Sequence, residues 1–108
     1  MLDQDLLRRL RNDLPMPVTI AALGADGPPT KIRDGRFWFL CPHCGDMLAT
    51  VNPRNNLAHC FNCQKNLNNI DLLMTLGYDF LAAVAILERL LERHQSRWPK
   101  PPATQEAK

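Results

Sequence analysis

Two C-x2-C pairs constrain this sequence more than any other feature. Cys41 and Cys44 form the first pair, Cys60 and Cys63 form the second, and fifteen residues separate the two pairs. A C-x2-C turn places two sulfur atoms on one side of a metal ion, and a second such turn completes the tetrahedron that Zn(II) accepts. The spacing therefore predicts one structural zinc ion with four cysteine ligands and no open position for a reacting water.

Three other uses of these cysteines remain open at this point. They are a pair of disulfides, a redox C-x2-C, and a mixed ligand set in which His43 or His59 replaces a cysteine. A reducing compartment disfavours the disulfides, and the chain has no βαβ pattern of the thioredoxin type. Either histidine would displace a cysteine with better spacing, so four sulfur ligands are expected.

Length and hydropathy limit the class of protein. With 108 residues, the chain has room for one domain and is too short for most self-contained catalytic folds. No apolar run approaches the roughly 20 residues of a membrane-spanning helix. The acidic start of the sequence lacks the basic and apolar regions of a secretory signal. We therefore expect a cytoplasmic, non-membrane protein that is not an enzyme.

The hydrophobic pattern predicts an α+β fold in which a small antiparallel sheet, the zinc ribbon, is flanked by helices. One amphipathic helix is expected over 3–14, and a short helix over 18–23. Strands are expected over 31–33, 36–40, 47–51 and 57–60, with Asp34-Gly35 as a hairpin turn. Two C-terminal helices follow, the first beginning at an Asn68/Asp71 capping box and the second running from 80 to about 95–98.

We expect these elements to form one domain over 1–98 with a ribbon core at 31–67, and the Pro-rich segment 99–108 to be a disordered tail. Fewer than forty residues of ribbon cannot bury enough apolar surface to overcome chain entropy. The ribbon should therefore depend on its metal.

Charge points to a polyanion only through its distribution. The formal net charge is +2, and four thiolates with one divalent cation would lower it to zero. Residues 31 to 67, however, contain five basic residues and only two acidic ones.

Alternation along 36–40 places Arg36 and Trp38 on one face, where a cation beside an aromatic ring suits single-stranded nucleic acid. The predicted nucleic-acid surface consists of Lys31, Arg33, Arg36, Trp38, Arg54 and Lys65. The alternative is that Trp38 packs under the C-terminal helix and the charges are only solvated.

Several segments together resemble the zinc-binding domain of bacterial-type DNA primases. The resemblance covers roughly residues 30 to 92, although Cys44 stands where that family usually has histidine. The segments that carry the resemblance are Ile32 to Pro42, Thr50-Val51-Asn52-Pro53, His59-Cys60-Phe61-Asn62-Cys63, and the helical segments Ile70 to Met74 and Phe80 to Leu87.

The resemblance implies a stand-alone module that binds single-stranded DNA and assists priming or replication, with a polymerase or helicase as its partner. A primase also needs a polymerase domain with a metal-binding carboxylate cluster, for which this chain has no room. Two alternatives from other classes remain: a zinc-stabilised protein-interaction adapter and a transcription-type regulator.

Overall fold

Four α-helices and a five-stranded antiparallel sheet build residues 3–97, the part of the chain that the computed structural model describes. The strands follow the chain in the order β1-β2-β3-β4-β5. The predicted α+β class is therefore confirmed, whereas the tail predicted at 99–108 lies outside the described residues. The elements are α1 (Gln4–Asn12), α2 (Met16–Leu23), β1 (Thr30–Arg33), β2 (Arg36–Phe39), β3 (Ala49–Asn52), β4 (Leu57–Cys60), β5 (Asn66–Leu67), α3 (Asn69–Thr75) and α4 (Phe80–Arg97).

The two N-terminal helices are joined by a proline-containing connection. Asp3 caps α1 through its side chain, which accepts a hydrogen bond from the Asp5 N–H. The predicted helix over 18–23 is present but begins two residues earlier, at Met16. Pro17 therefore lies in the first turn of α2, where its missing N–H costs no hydrogen bond, instead of terminating the preceding helix. Gly24, with φ of 57°, ends α2 as expected.

The hairpin between β1 and β2 has the predicted two-residue turn. Asp34 and Gly35 both have positive φ, 55° and 75°, and Arg33 pairs directly with Arg36. Two consecutive positive φ values match the twist of the flanking strands. Strand β5 was not predicted, because two residues carry no strand pattern of their own and pair with β4 only through the fold.

The C-terminal helices begin at side-chain caps. Asn68 and Asp71 form the predicted capping box, in which each side chain accepts a hydrogen bond from the other residue's backbone N–H. Helix α4 begins after Asp79, whose carboxylate accepts from the Ala82 N–H at 2.7 Å. None of the helices within residues 3–97 is both long enough and apolar enough to cross a bilayer.

Buried apolar residues form two clusters. The sheet core packs one face of the sheet against α2 and α3, and it contains Met16, Ile20, Phe39, Cys41, Ala49, Ala58, Cys60, Leu67 and Leu72. The helical core lies between α1, α3 and α4, and it contains Leu10, Leu14, Ile70, Leu73, Ala83, Val84, Leu87 and Leu91. Only the sheet core includes cysteines, so a metal bound there would stabilise the two clusters unequally.

Candidate metal centre and adjoining sheet face

The four cysteine sulfur atoms lie together at one edge of the sheet core. All four Sγ atoms are within 4.8 Å of one another. The Cys41 and Cys63 sulfurs are 3.8 Å apart, and those of Cys44 and Cys60 are 3.6 Å apart. Four sulfurs at about 2.3 Å from a central ion in a regular tetrahedron would be about 3.8 Å apart. The cluster therefore has the dimensions of a tetrahedral metal site.

Two backbone turns with the same hydrogen bonds hold these sulfurs. In the first cysteine turn, residues 41–46, the Cys41 N–H donates to the Asp46 carbonyl at 2.9 Å, and the Gly45 N–H donates to the Cys41 carbonyl at 2.8 Å. In the second cysteine turn, residues 60–65, the Cys60 N–H donates to the Lys65 carbonyl at 3.0 Å, and the Gln64 N–H donates to the Cys60 carbonyl at 2.8 Å.

The residue four positions after the first cysteine adopts positive φ in both turns. Gly45 does so at 82° and Gln64 at 65°. Glycine reaches this region at no steric cost, whereas Gln64 occupies it under the constraint of the turn. The shared geometry explains why both C-x2-C pairs can point their sulfurs at one centre.

The environments of the thiols differ across the site. Burial raises the pKa of the Cys41 thiol to about 12 and also raises the pKa of Cys63. A hydrogen bond from the Asn62 side chain, aided by the Asp46 backbone N–H, lowers the pKa of Cys44 to about 7. Deprotonation therefore begins at Cys44, and a cation must displace the protons held by Cys41 and Cys63.

The alternative uses of the cysteines fit this geometry less well. The sulfur separations of 3.6 and 3.8 Å exceed the bond length of about 2.05 Å in a disulfide, and all four cysteines are free thiols. The cluster of metal-ligating atoms in residues 3–97 contains neither His43 nor His59. His59 instead shares a 2.9 Å hydrogen bond with Asn66 through Nδ1.

We predict that metal affinity falls steeply on acidification. Because Cys41 and Cys63 retain protons at neutral pH, binding must release at least these two protons. Each released proton lowers the affinity about tenfold per pH unit, so the loss from pH 8 to pH 7 should reach at least ~100-fold. Competition titrations with a chromophoric chelator at both pH values measure this slope. An affinity independent of pH would contradict thiol ligation.

The face of the sheet opposite the sheet core collects most of the predicted nucleic-acid residues. Directly paired residues form one row across all five strands, namely Lys31, Trp38, Thr50, His59 and Asn66. Arg33 and Arg36 pair with each other two positions along, so they share this face. We call the face that carries these seven residues the open face.

Two of the six residues predicted to contact nucleic acid, Arg54 and Lys65, lie outside the open face. Exposed Arg54 belongs to the turn between β3 and β4, near the end of the sheet that carries Arg36. Lys65 lies at the other end and lines a shallow groove with Asp71 and Met74 on the α3 side. The structure thus brings together Lys31, Arg33, Arg36 and Trp38.

Trp38 is half-buried within an aromatic cluster that we define as Trp38, His59 and Phe61. The Arg33 guanidinium lies 5.2 Å from the centroid of the Trp38 ring, and the Phe61 ring lies 6.2 Å from it on another side. His59 meets Phe61 edge to face at 4.9 Å. The sequence signals that pointed to Trp38 did not predict His59 or Phe61 as nucleic-acid contacts. A sequence signal existed for Phe61, since it is an aromatic residue inside the second C-x2-C pair.

Comparisons with known proteins do not extend these observations, since no family model, no curated protein and no solved structure matches the chain.

Proposed function

We propose that this chain is a zinc-ribbon module of the DNA-primase type that binds single-stranded DNA and assists priming or replication. The observation that carries the proposal is the open face, where Lys31, Arg33 and Arg36 surround the half-buried Trp38. Cations beside an aromatic ring can neutralise phosphates while a base stacks, which is the common chemistry of single-strand binding. The resemblance of the sequence to the primase zinc-binding domain is the reason for proposing a role in priming or replication.

Zinc is the metal we propose for the cysteine cluster. Four thiolates in a tetrahedron are the usual ligand set of structural zinc, and the Sγ separations agree with its bond length. Such thiols persist in a reducing compartment, as expected for the cytoplasm. Elemental analysis should find one zinc per chain, and His43→Ala should retain it. Purified protein with two disulfides and no metal would contradict this assignment.

The proposed role is recognition without catalysis. A zinc ion with four protein ligands has no open position at which to activate water or a hydroxyl group. We therefore expect a polymerase or helicase to supply the chemistry, while this module contacts the template strand. Template-dependent primer synthesis by the purified chain would contradict this role.

We expect salt-dependent binding to single-stranded DNA. Phosphate contacts by Lys31, Arg33, Arg36 and Arg54 would each contribute about 0.7 to the slope of log affinity against log salt, so the slope should be no steeper than about −3. Arg36→Ala should reduce the slope by about one contact. Trp38→Ala should weaken binding by about 1–3 kcal/mol at every salt concentration without changing the slope, because stacking releases no counterions. Fluorescence anisotropy at several salt concentrations measures both effects.

The same titration separates this function from the adapter alternative. Leu81 on α4 is 68% exposed and Met74 on α3 is 43% exposed, and exposed apolar residues of this size suit a protein partner. The adapter would show no binding to single-stranded, duplex or random oligonucleotides. A folded, zinc-loaded chain that binds none of these at 50 mM salt would therefore reject the DNA-binding proposal and favour the adapter.

A further inference from the structure

Phe61 carries an exposed aromatic ring on a hydrogen-bonded stretch of backbone. It lies between the ligand candidates Cys60 and Cys63, and 52% of its surface is exposed. Its backbone N–H donates to the Leu48 carbonyl at 3.0 Å, and its carbonyl accepts from the Gln64 side chain at 3.0 Å. A backbone already ordered by its own turn loses little conformational freedom when a planar ligand stacks on the ring that it carries.

The side chains around Phe61 orient the ring further. His59 contacts it edge to face, with an interplanar angle of 79°, and the Trp38 ring lies 6.2 Å away at an angle of 49°. The His59 Nδ1 shares a 2.9 Å hydrogen bond with the Asn66 side chain, which orients the imidazole. The aromatic cluster is thus a supported surface with Phe61 as its most exposed member.

A groove opens beside this cluster where β2 and β3 separate. The ladder between these two strands consists of the pairs Trp38 with Thr50 and Phe39 with Ala49, and the Thr50 hydroxyl also donates to the Phe37 carbonyl at 2.7 Å. Where this ladder ends lies a groove of about 810 Å³, whose lining includes Arg36, Thr50, His59 and Phe61 and extends to Pro17 in the first turn of α2. This volume lies within the range of sites that accept small planar ligands.

The charge around the groove favours an anionic occupant. Arg36 lines the groove, and Lys31 and Arg33 are exposed on the same face. Within residues 3–97 the ion pairs belong to α1, so none of these three cations is neutralised by a carboxylate in an ion pair. A cationic border beside an exposed aromatic ring is complementary to a nucleic-acid strand with unstacked bases.

We propose that Phe61 is a base-stacking residue and that the adjoining groove receives an unpaired base of a single strand, with Arg36 at its phosphate. This inference rests on the proposed function and extends it, because it assigns base contact to the second cysteine turn. The metal would then fix the turn that presents the stacking ring. The module would then recognise an unpaired base as well as the negative charge of the DNA backbone.

Paired ligands with and without bases test this assignment. We would measure the affinities for a thymidine strand of about ten nucleotides and for an abasic strand of the same length and charge. Phe61→Ala should weaken binding of the thymidine strand by about 5- to 150-fold, the usual range for loss of one stacked base. Binding of the abasic strand should be unchanged. Phe61→Trp should restore thymidine-strand binding, since it restores a stacking surface.

Two controls exclude nonspecific effects. Leu81→Ala removes an exposed apolar side chain from α4 and should leave both affinities unchanged, whereas Arg36→Ala should weaken both strands alike. Zinc content of each variant is measured in parallel. Equal affinities of Phe61→Ala and wild type for the thymidine strand, or an equal loss for both strands, would overturn the stacking role alone. Failure of the wild-type protein to bind either strand would overturn the proposed function as well.

Discussion

Chelation of the metal is expected to unfold residues 31–67 while α1, α3 and α4 retain partial helical structure. Cys41 and Cys60 are fully buried in the sheet core. Loss of the metal would therefore remove the link between the two cysteine turns inside this core. A structural zinc site contributes roughly 10–16 kcal/mol, as much as the whole stability of an ordinary domain. The helical core contains no cysteine and keeps its leucine contacts.

Circular dichroism and amide hydrogen exchange would follow this unfolding. Protection should be lost in β1 to β5 and retained in part of α4, and stoichiometric zinc should restore it, whereas excess magnesium should not. Cys60→Ser should reproduce the chelated state without a chelator. Undiminished protection of the strands after complete metal removal would show that the sheet core is stable alone.

Replacement of Asn56 should give a large loss of stability at a site remote from the metal centre. Asn56 is 8% exposed and joins the β3–β4 turn to the N-terminal helices. Its Nδ2 donates to the carbonyls of Arg11 and Leu14 at 2.8 and 2.7 Å, and its Oδ1 accepts from the Met16 N–H at 2.9 Å. Loss of the Asn56 side chain would leave the Arg11 carbonyl and the Met16 N–H without these hydrogen bonds. The Leu14 carbonyl would keep the hydrogen bond from Asn69.

Two substitutions separate the hydrogen bonds of Asn56 from its backbone conformation. Asn56→Gly accommodates the φ of 57° without strain and should lower the free energy of unfolding by about 3 kcal/mol. Asn56→Ala should cost about 1 kcal/mol more, because alanine is disfavoured in the left-handed region. Urea unfolding of the zinc-loaded protein measures both values.

Asn55→Ala is the matched control for this series. Exposed Asn55 makes one local hydrogen bond, from the Leu57 N–H to its Oδ1 at 3.0 Å, and its loss should cost less than about 1 kcal/mol. A free energy of unfolding for Asn56→Gly within about 0.5 kcal/mol of wild type would mean that water replaces the three bonds. The link between the sheet and the N-terminal helices would then be apolar only.

Local features of this protein were predictable because neighbouring residues determine them. The C-x2-C turns, the Asp34-Gly35 hairpin and the Asn68/Asp71 capping box each depend on residues at most a few positions apart. Alternation along β2 likewise follows from strand geometry, and the core position of Phe39 agrees with it. The sequence alone therefore determined the fold class and the four cysteines that the structure brings together.

Only the tertiary structure decided which distant residues meet. Phe61 lies beside Trp38, 23 positions away, because β2, β3 and β4 align in one register and the second cysteine turn follows β4. Asn56 reaches α2 across 40 positions and α1 across 45. Such contacts depend on the combined packing of several elements, and no local pattern encodes them. For this reason the cysteine cluster was visible in the sequence, whereas the aromatic cluster and its groove required the fold.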